Sequence, residues 1–172
     1  MNEHIVMPPS LLSGRSLAKA DAIAFAKTGV PEWTVAYVGP KELPIAQFKH
    51  VEPMKVLSNL LIELGWLNDR RLVGRMVLPK GLRPKDGARV KVDDEPLGER
   101  LAFEAVQSGE NMARLNWEEQ ALAMLSSGEI LSVHAVTASR KKPVTFKIPL
   151  KNFTSTIDRL KEAIEQRNSK RS

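Results

Sequence analysis

The chain is 172 residues long, with 42% hydrophobic and 27% charged side chains and a formal net charge of +6; this is enough for one buried core, and the balance excludes wholesale disorder. It contains no cysteine, which removes disulfides, thiolate zinc sites and thiol catalysis, and its three histidines, His4, His50 and His134, stand at no metal-ligand spacing. No apolar run approaches the ~20 residues that a membrane-spanning helix needs.

Residues 1–30 read as an extension ahead of a domain. The pair Pro8-Pro9 closes a loose lead. Leu11, Leu12, Leu17, Ala20, Ala24 and Phe25 then fall on one helical stripe that stops at Gly29, with Pro31 beyond it. Flanked by Arg15 and Lys19, that stripe predicts an amphipathic helix that packs on its own domain or on a partner. The segment lacks a basic stretch followed by a continuous apolar run, so it does not read as a secretion signal. Arg15, Lys19 and Lys27 among few acids give it a faint presequence character, but a plain amphipathic helix is the better reading.

Residues 31–166 predict a domain built of strands. Trp33 to Val38 is β-branched and aromatic and ends at the Gly39-Pro40 turn. Val56 to Trp66 is apolar nearly throughout and suits either a strand or a buried helix; Gly65 and an Asn68-Asp69 turn favour a hairpin into Leu72 to Leu78. Pro79 to Gly81 breaks the chain, Asp86-Gly87 turns it, and Ala88 to Val92 alternates up to the acidic turn Asp93, Asp94, Glu95. Leu101, Phe103 and Ala105 alternate again before Ser108-Gly109 leads into Met112 to Leu115.

Asn116 and Glu119 have capping-box spacing, which predicts a short helix carrying Trp117 in its first turn and stopping at Gly128. Ile130 to Thr137 and Val144 to Leu150 are expected strands joined by the basic turn Ser139 to Lys142. Thr154 to Gln166 places Ile157, Leu160, Ala163 and Ile164 on one face of a closing helix, and residues 167–172 form a basic tail. The fold class is therefore mainly β: an antiparallel β-sandwich with short accessory helices, an N-terminal and a C-terminal amphipathic helix among them.

The stretch VLPKGLRPKDGARVKVDDEP (Val77 to Pro96), followed by LAFEAVQSGENMARL (Leu101 to Leu115), LSSGEILSVHAV (Leu125 to Val136) and PVTFKIPLKNFTSTIDRL (Pro143 to Leu160), resembles the invasion-associated locus B family of bacterial envelope proteins. Trp33-Thr34-Val35 would be its opening strand, whereas Pro40 to Arg71 matches loosely. The resemblance implies the sandwich and, more weakly, a binding or assembly role; it brings no catalytic residues. Family members are usually periplasmic or envelope proteins with a secretion signal and with cysteines at positions corresponding to Tyr37, Val106 and Asn111. Lacking both, this chain fits a reducing compartment, such as a bacterial cytoplasm or the mitochondrial matrix side. Asn152 stands where the family has Gly before Phe153, and Asn tolerates the left-handed backbone such a turn needs.

No catalytic constellation emerges. Ser132 and His134 would share a strand face, with Asp93 and Asp94 as the nearest acids in sequence but nothing to bring them together. The Asp93 to Glu95 cluster lacks the ligand spacing and the glycine of a calcium loop. No phosphate-binding glycine loop occurs, and no cofactor or metal is expected. The expected function is a non-enzymatic protein-binding or assembly module, an accessory subunit of a larger complex that is membrane-associated or faces an acidic surface. Its contact residues would be Leu11, Leu12, Arg15, Lys19 and Phe25 on the N-terminal helix, Arg140, Lys141 and Lys142 on the basic turn, and Arg167, Lys170 and Arg171 at the C-terminus. The alternative is a basic protein that binds nucleic acid or an anionic surface, with Trp33, Trp66 and Trp117 available for base stacking.

Overall fold

The computed structural model describes residues 32–50, 59–106 and 108–171. The expected N-terminal helix, with Leu11, Leu12, Arg15, Lys19 and Phe25, lies outside the described residues. The remainder forms two antiparallel sheets around one core. In the larger sheet, β1 (Trp33–Val38), β2 (Leu43–His50), β3 (Leu60–Asn68), β4 (Arg71–Leu78), β8 (Asn111–Trp117) and the two-residue β7 (Glu104–Ala105) lie side by side in the order β1-β2-β3-β4-β8-β7. The smaller sheet has the order β10-β9-β5-β6, from β5 (Arg89–Val92), β6 (Glu95–Pro96), β9 (Ile130–Val136) and β10 (Pro143–Pro149). Helix α1 (Glu119–Ser127) follows β8, and α2 (Phe153–Arg171) closes the described chain.

Alternation of side chains puts one face of each strand into the core. From the larger sheet come Phe48, Leu60, Ile62, Leu64, Leu72, Met76, Leu78, Leu115 and Trp117; the smaller sheet contributes Val90, Val92, Leu131, Val133, Phe146 and Ile148. Helix α2 adds Phe153, Ile157 and Leu160 at the i, i+4, i+7 spacing that an apolar helical stripe requires. Glycine is needed where strands β3 and β4 cross at Leu64 and Gly74, since a Cβ on Gly74 would land on the Glu63 carbonyl oxygen.

Trp33 ties the layers together. Its ring sits 5.4 Å from that of Phe48 in the neighbouring strand and 5.0 Å, edge to face, from that of Phe153 in α2. Its indole Nε1 donates to the Pro149 carbonyl at the end of β10, 2.9 Å away, and its own carbonyl accepts from Thr156 Oγ1 of the helix at 3.2 Å. Trp66 repeats the device on the β3–β4 hairpin: Nε1 donates to the Ile157 carbonyl at 3.0 Å, and Lys161 Nζ lies 4.3 Å over its ring. Both indole donors thus find backbone acceptors, as buried tryptophan requires.

Several expectations are corrected. Strand β2 was not expected: Pro44 and Gln47 interrupt its apolar pattern, but Pro44, Ala46 and Phe48 form the buried face while pairing on both sides makes it a sheet-interior strand. Asn116 is no helix cap; it pairs with Val73 inside β8, and Trp117 ends that strand. The helix begins two residues later, after Glu118, with no side-chain cap, because the sheet ladder satisfies more backbone groups than a cap would. The alternation at 101–105 yields a single Leu101–Ala88 bridge and the short β7. The stretch around 167–171 is not a separate tail: α2 continues to Arg171, placing Arg167 and Lys170 on its last turns. The hairpin reading matches β3 and β4, its first residues, 56–58, lying outside the described residues, and Asn152 has the left-handed φ of 69° anticipated for it.

At the β7–β8 edge, the Arg114 guanidinium bonds Glu104 at 2.7 Å and holds its carboxyl below the usual range, chiefly through that hydrogen bond and then through its charge. A depressed folded-state value means that the pair helps above the ordinary carboxyl range and that its help fades as pH falls through the folded one. Exposure keeps the effect small. Trp33→Phe, which keeps a ring but leaves the Pro149 carbonyl unpaired, should cost about 1–3 kcal/mol by urea denaturation, and Trp33→Ala about 3–5 kcal/mol. Gly74→Ala should destabilise by about 2–3 kcal/mol through backbone displacement.

Candidate functional site

Chemistry-bearing side chains gather on the outer surface of the smaller sheet. Pairing in this sheet is regular, so parity decides which residues face out. Arg89 and Lys91 of β5, Ser132 and His134 of β9, and Thr145 and Lys147 of β10 alternate with core-facing Val90, Leu131, Val133 and Phe146, and Ser132 is itself covered by its neighbours. Two transverse rows result: Lys91–Ser132–Lys147 and Arg89–His134–Thr145.

Ser132 and His134 do meet. Ser132 Oγ lies 3.0 Å from His134 Nε2, and Thr145 Oγ1 lies 3.2 Å from Nδ1. A neutral imidazole has one N–H, so one hydroxyl gives its proton to the ring while the other accepts from the ring and keeps its proton for an outside partner. The position that a carboxylate holds in a nucleophilic triad is occupied here by a threonine hydroxyl, which cannot compensate an imidazolium charge. The nearest acids in sequence are engaged elsewhere. Asp93 accepts from the backbone N–H of Glu129, at 3.0 Å, and of Ile130, at 2.9 Å, bracing the start of β9 against the β5–β6 turn. Asp93 and Asp94 have φ of 47° and 73°, the left-handed pair of a two-residue hairpin turn. Among the described residues no three His, Asp or Glu side chains gather as a metal site.

The basic turn is well defined. Thr137 N donates to the Lys142 carbonyl, Lys141 N to the Thr137 carbonyl and Lys142 N to Thr137 Oγ1, while Ala138 N reaches the Gly81 carbonyl. Lys141 takes a φ of 53° to close it. Arg140, Lys141 and Lys142 are exposed, and none has an ion pair among the described residues. At the far end of α2, Arg167 donates to the Glu42 carbonyl at 3.4 Å and Lys170 is exposed, whereas the side chain of Arg171 lies outside the described residues. Among the described residues no side-chain hydrogen bond or ion pair joins this helix end to the basic turn. Trp33 and Trp117 are core residues and Trp66 is covered by Lys161, so none presents a free ring for base stacking. Sequence reading missed the outward row Arg89, Lys91 and Lys147, because it becomes a cluster only once β5 and β10 are known to flank β9.

Two outcomes check this geometry. Asp93→Ala should cost about 1–2 kcal/mol by leaving two amides without their acceptor, while added calcium leaves the midpoint of wild-type unfolding unchanged. Ser132 should resist a fluorophosphonate probe, read by intact-mass spectrometry.

Comparison with known proteins agrees with the fold. The family model for the invasion associated locus B protein matches residues 47–161. Over 131 residues, covering 75% of each chain, the protein is 28% identical to invasion protein B homologues of Brucella abortus strain 2308 and of biovar 1 strain 9-941. It superposes on the crystal structure of invasion associated protein B from Bartonella henselae with a TM-score of 0.68 at 15% identity, over 79% of this chain and 99% of that one. With the family model spanning more than half of its length, the chain belongs to the invasion-associated locus B family.

Proposed function

We propose that this protein is a non-enzymatic binding module that works as an accessory subunit of a larger assembly, docking on an acidic face of a partner protein through the β9–β10 turn. The observation that carries this reading is the turn itself: three adjacent exposed cations held on a hydrogen-bonded loop, none of them in an ion pair among the described residues. A preformed loop loses little conformational entropy on docking, and unpaired cations accelerate encounter with an acidic surface. Arg167 and Lys170 add a second basic region on a helix whose position is set by Trp33 and Trp66. The non-catalytic half of the reading draws on His134, whose second nitrogen faces a threonine hydroxyl rather than a carboxylate. The names of the Brucella and Bartonella relatives describe invasion proteins and are compatible with a surface that acts by contact.

Size-exclusion chromatography of native lysate, followed by cross-linking, tests the proposal. The wild type should elute in a high-mass fraction with cross-links to Lys141 or Lys142. Arg140→Glu combined with Lys141→Glu and Lys142→Glu should shift it to the free form, weakening association by roughly tenfold or more, chiefly in the on-rate and most at low salt. Elution of the wild type as a lone monomer would overturn the reading.

A further inference from the structure

We infer that the outer face of the four-stranded sheet is a docking surface for the phosphate groups of an anionic bilayer, with Arg89, Lys91 and Lys147 as the cations and Thr145 as a hydroxyl ligand. This is independent of the protein contact assigned to the β9–β10 turn.

Register sets the arrangement. Lys91 and Lys147 stand directly opposite Ser132 on its two neighbouring strands, and Arg89 and Thr145 flank His134 in the next row. Cross-strand neighbours have Cβ atoms about 5 Å apart, so three flexible cationic chains reach the space above the two hydroxyls. None of the three cations has an ion pair among the described residues. No outward position of β5, β9 or β10 holds an acid. Arg89 and Lys91 stand two residues apart on β5 and Lys147 stands across β9 from them, so all three share one face, and with no acid on it their natural complement lies outside the chain. The ring of His134 orders both hydroxyls beneath them, and its proton inventory leaves one hydroxyl proton free to donate.

The composition of the face selects the kind of anion. A protein partner would want an apolar centre with a polar rim, but here polar Ser132 and His134 form the centre, cations flank them, and Ile130 and Val136 lie at the ends. A nucleic-acid strand would want stacking rings interleaved with the cations, and the outward positions carry no aromatic residue. What remains complementary to an open pleated face is a planar array of anions with tetrahedral oxygens, as in a bilayer of acidic phospholipids. Asp94, Glu95 and Glu129 sit at the start of β9, opposite the basic turn, so the charge is graded along the sheet and the end bearing Arg89 would lie closer to the membrane.

Co-sedimentation of the full chain with vesicles of equimolar phosphatidylglycerol and phosphatidylcholine tests this. Wild type should bind at low salt, release at high salt and ignore vesicles of phosphatidylcholine alone. Combining Arg89→Ser, Lys91→Ser and Lys147→Ser should weaken binding by about 100-fold, at ~5-fold for each cation. Thr145→Glu should weaken it as well, with both variants shown to be folded by an unchanged urea midpoint. A control with the same loss of charge, Lys41→Ser with Arg70→Ser and Lys151→Ser, should keep most of the binding. Equal loss in the control, absence of vesicle binding by the wild type, or equally tight capture of an acidic peptide or of inorganic phosphate would overturn the proposal. Loss of partner assembly in the turn variant with vesicle binding retained would separate the two contacts.

Discussion

The hydrogen bond from the Trp33 indole to the Pro149 carbonyl is the constraint on which the rest of the architecture depends. A buried indole must place its N–H on an acceptor, and the acceptor here is the last residue of β10, in the opposite sheet. One side chain therefore sets how the edge of the larger sheet meets the end of the smaller one. Because the same residue stacks on Phe153 and accepts from Thr156, it also sets where α2 starts. Trp66 holds the helix one turn further along through the Ile157 carbonyl. Two directional bonds to backbone acceptors thus orient an interface that hydrophobic burial alone, being non-directional, would leave free to slide.

With the interior filled by Val, Leu, Ile and Phe from both sheets, little polar machinery is left inside. Buried polar groups such as Asn111, which donates to the Pro79 carbonyl, and Thr156 serve the scaffold. Chemistry is displaced to the outside, where parity on the smaller sheet and the tight β9–β10 turn arrange cations with no internal partners. Tyr37, Val106 and Asn111, the positions at which the family resemblance implies cysteines in other members, fall at opposite margins of the larger sheet, on β1 and around the β7–β8 turn. In this chain the margins are held by other means: Arg114 with Glu104 at one, the Trp33 cluster at the other.

Most of the fold was legible in the sequence wherever local pattern and tertiary packing agree. Period-two alternation located β1, β4, β5, β9 and β10, and the apolar stripe from Ile157 to Ile164 located α2. It failed where one local signal masked another. Pro44 and Gln47 hid β2, although both are buried, because a proline can sit in a strand whose register spares its missing N–H. Asn116 imitated a helix cap while its backbone was claimed by Val73 across the ladder. The basic turn at Arg140 to Lys142 was visible as a run of charge. The outward row was not, since Lys147 lies far along the chain from Arg89 and Lys91 and joins them only through β9.

By itself, then, the sequence determined the class of architecture, the strands and helix with clear periodicity, the exclusion of thiol chemistry and the family resemblance, because these follow from side-chain type and spacing along the chain. Tertiary structure alone decided that Ser132 and His134 meet, that Asp93 is spent on the amides of Glu129 and Ile130, and that distant cations share one face. Strand order is set by long-range pairing, and no local pattern records which strand becomes the neighbour of another.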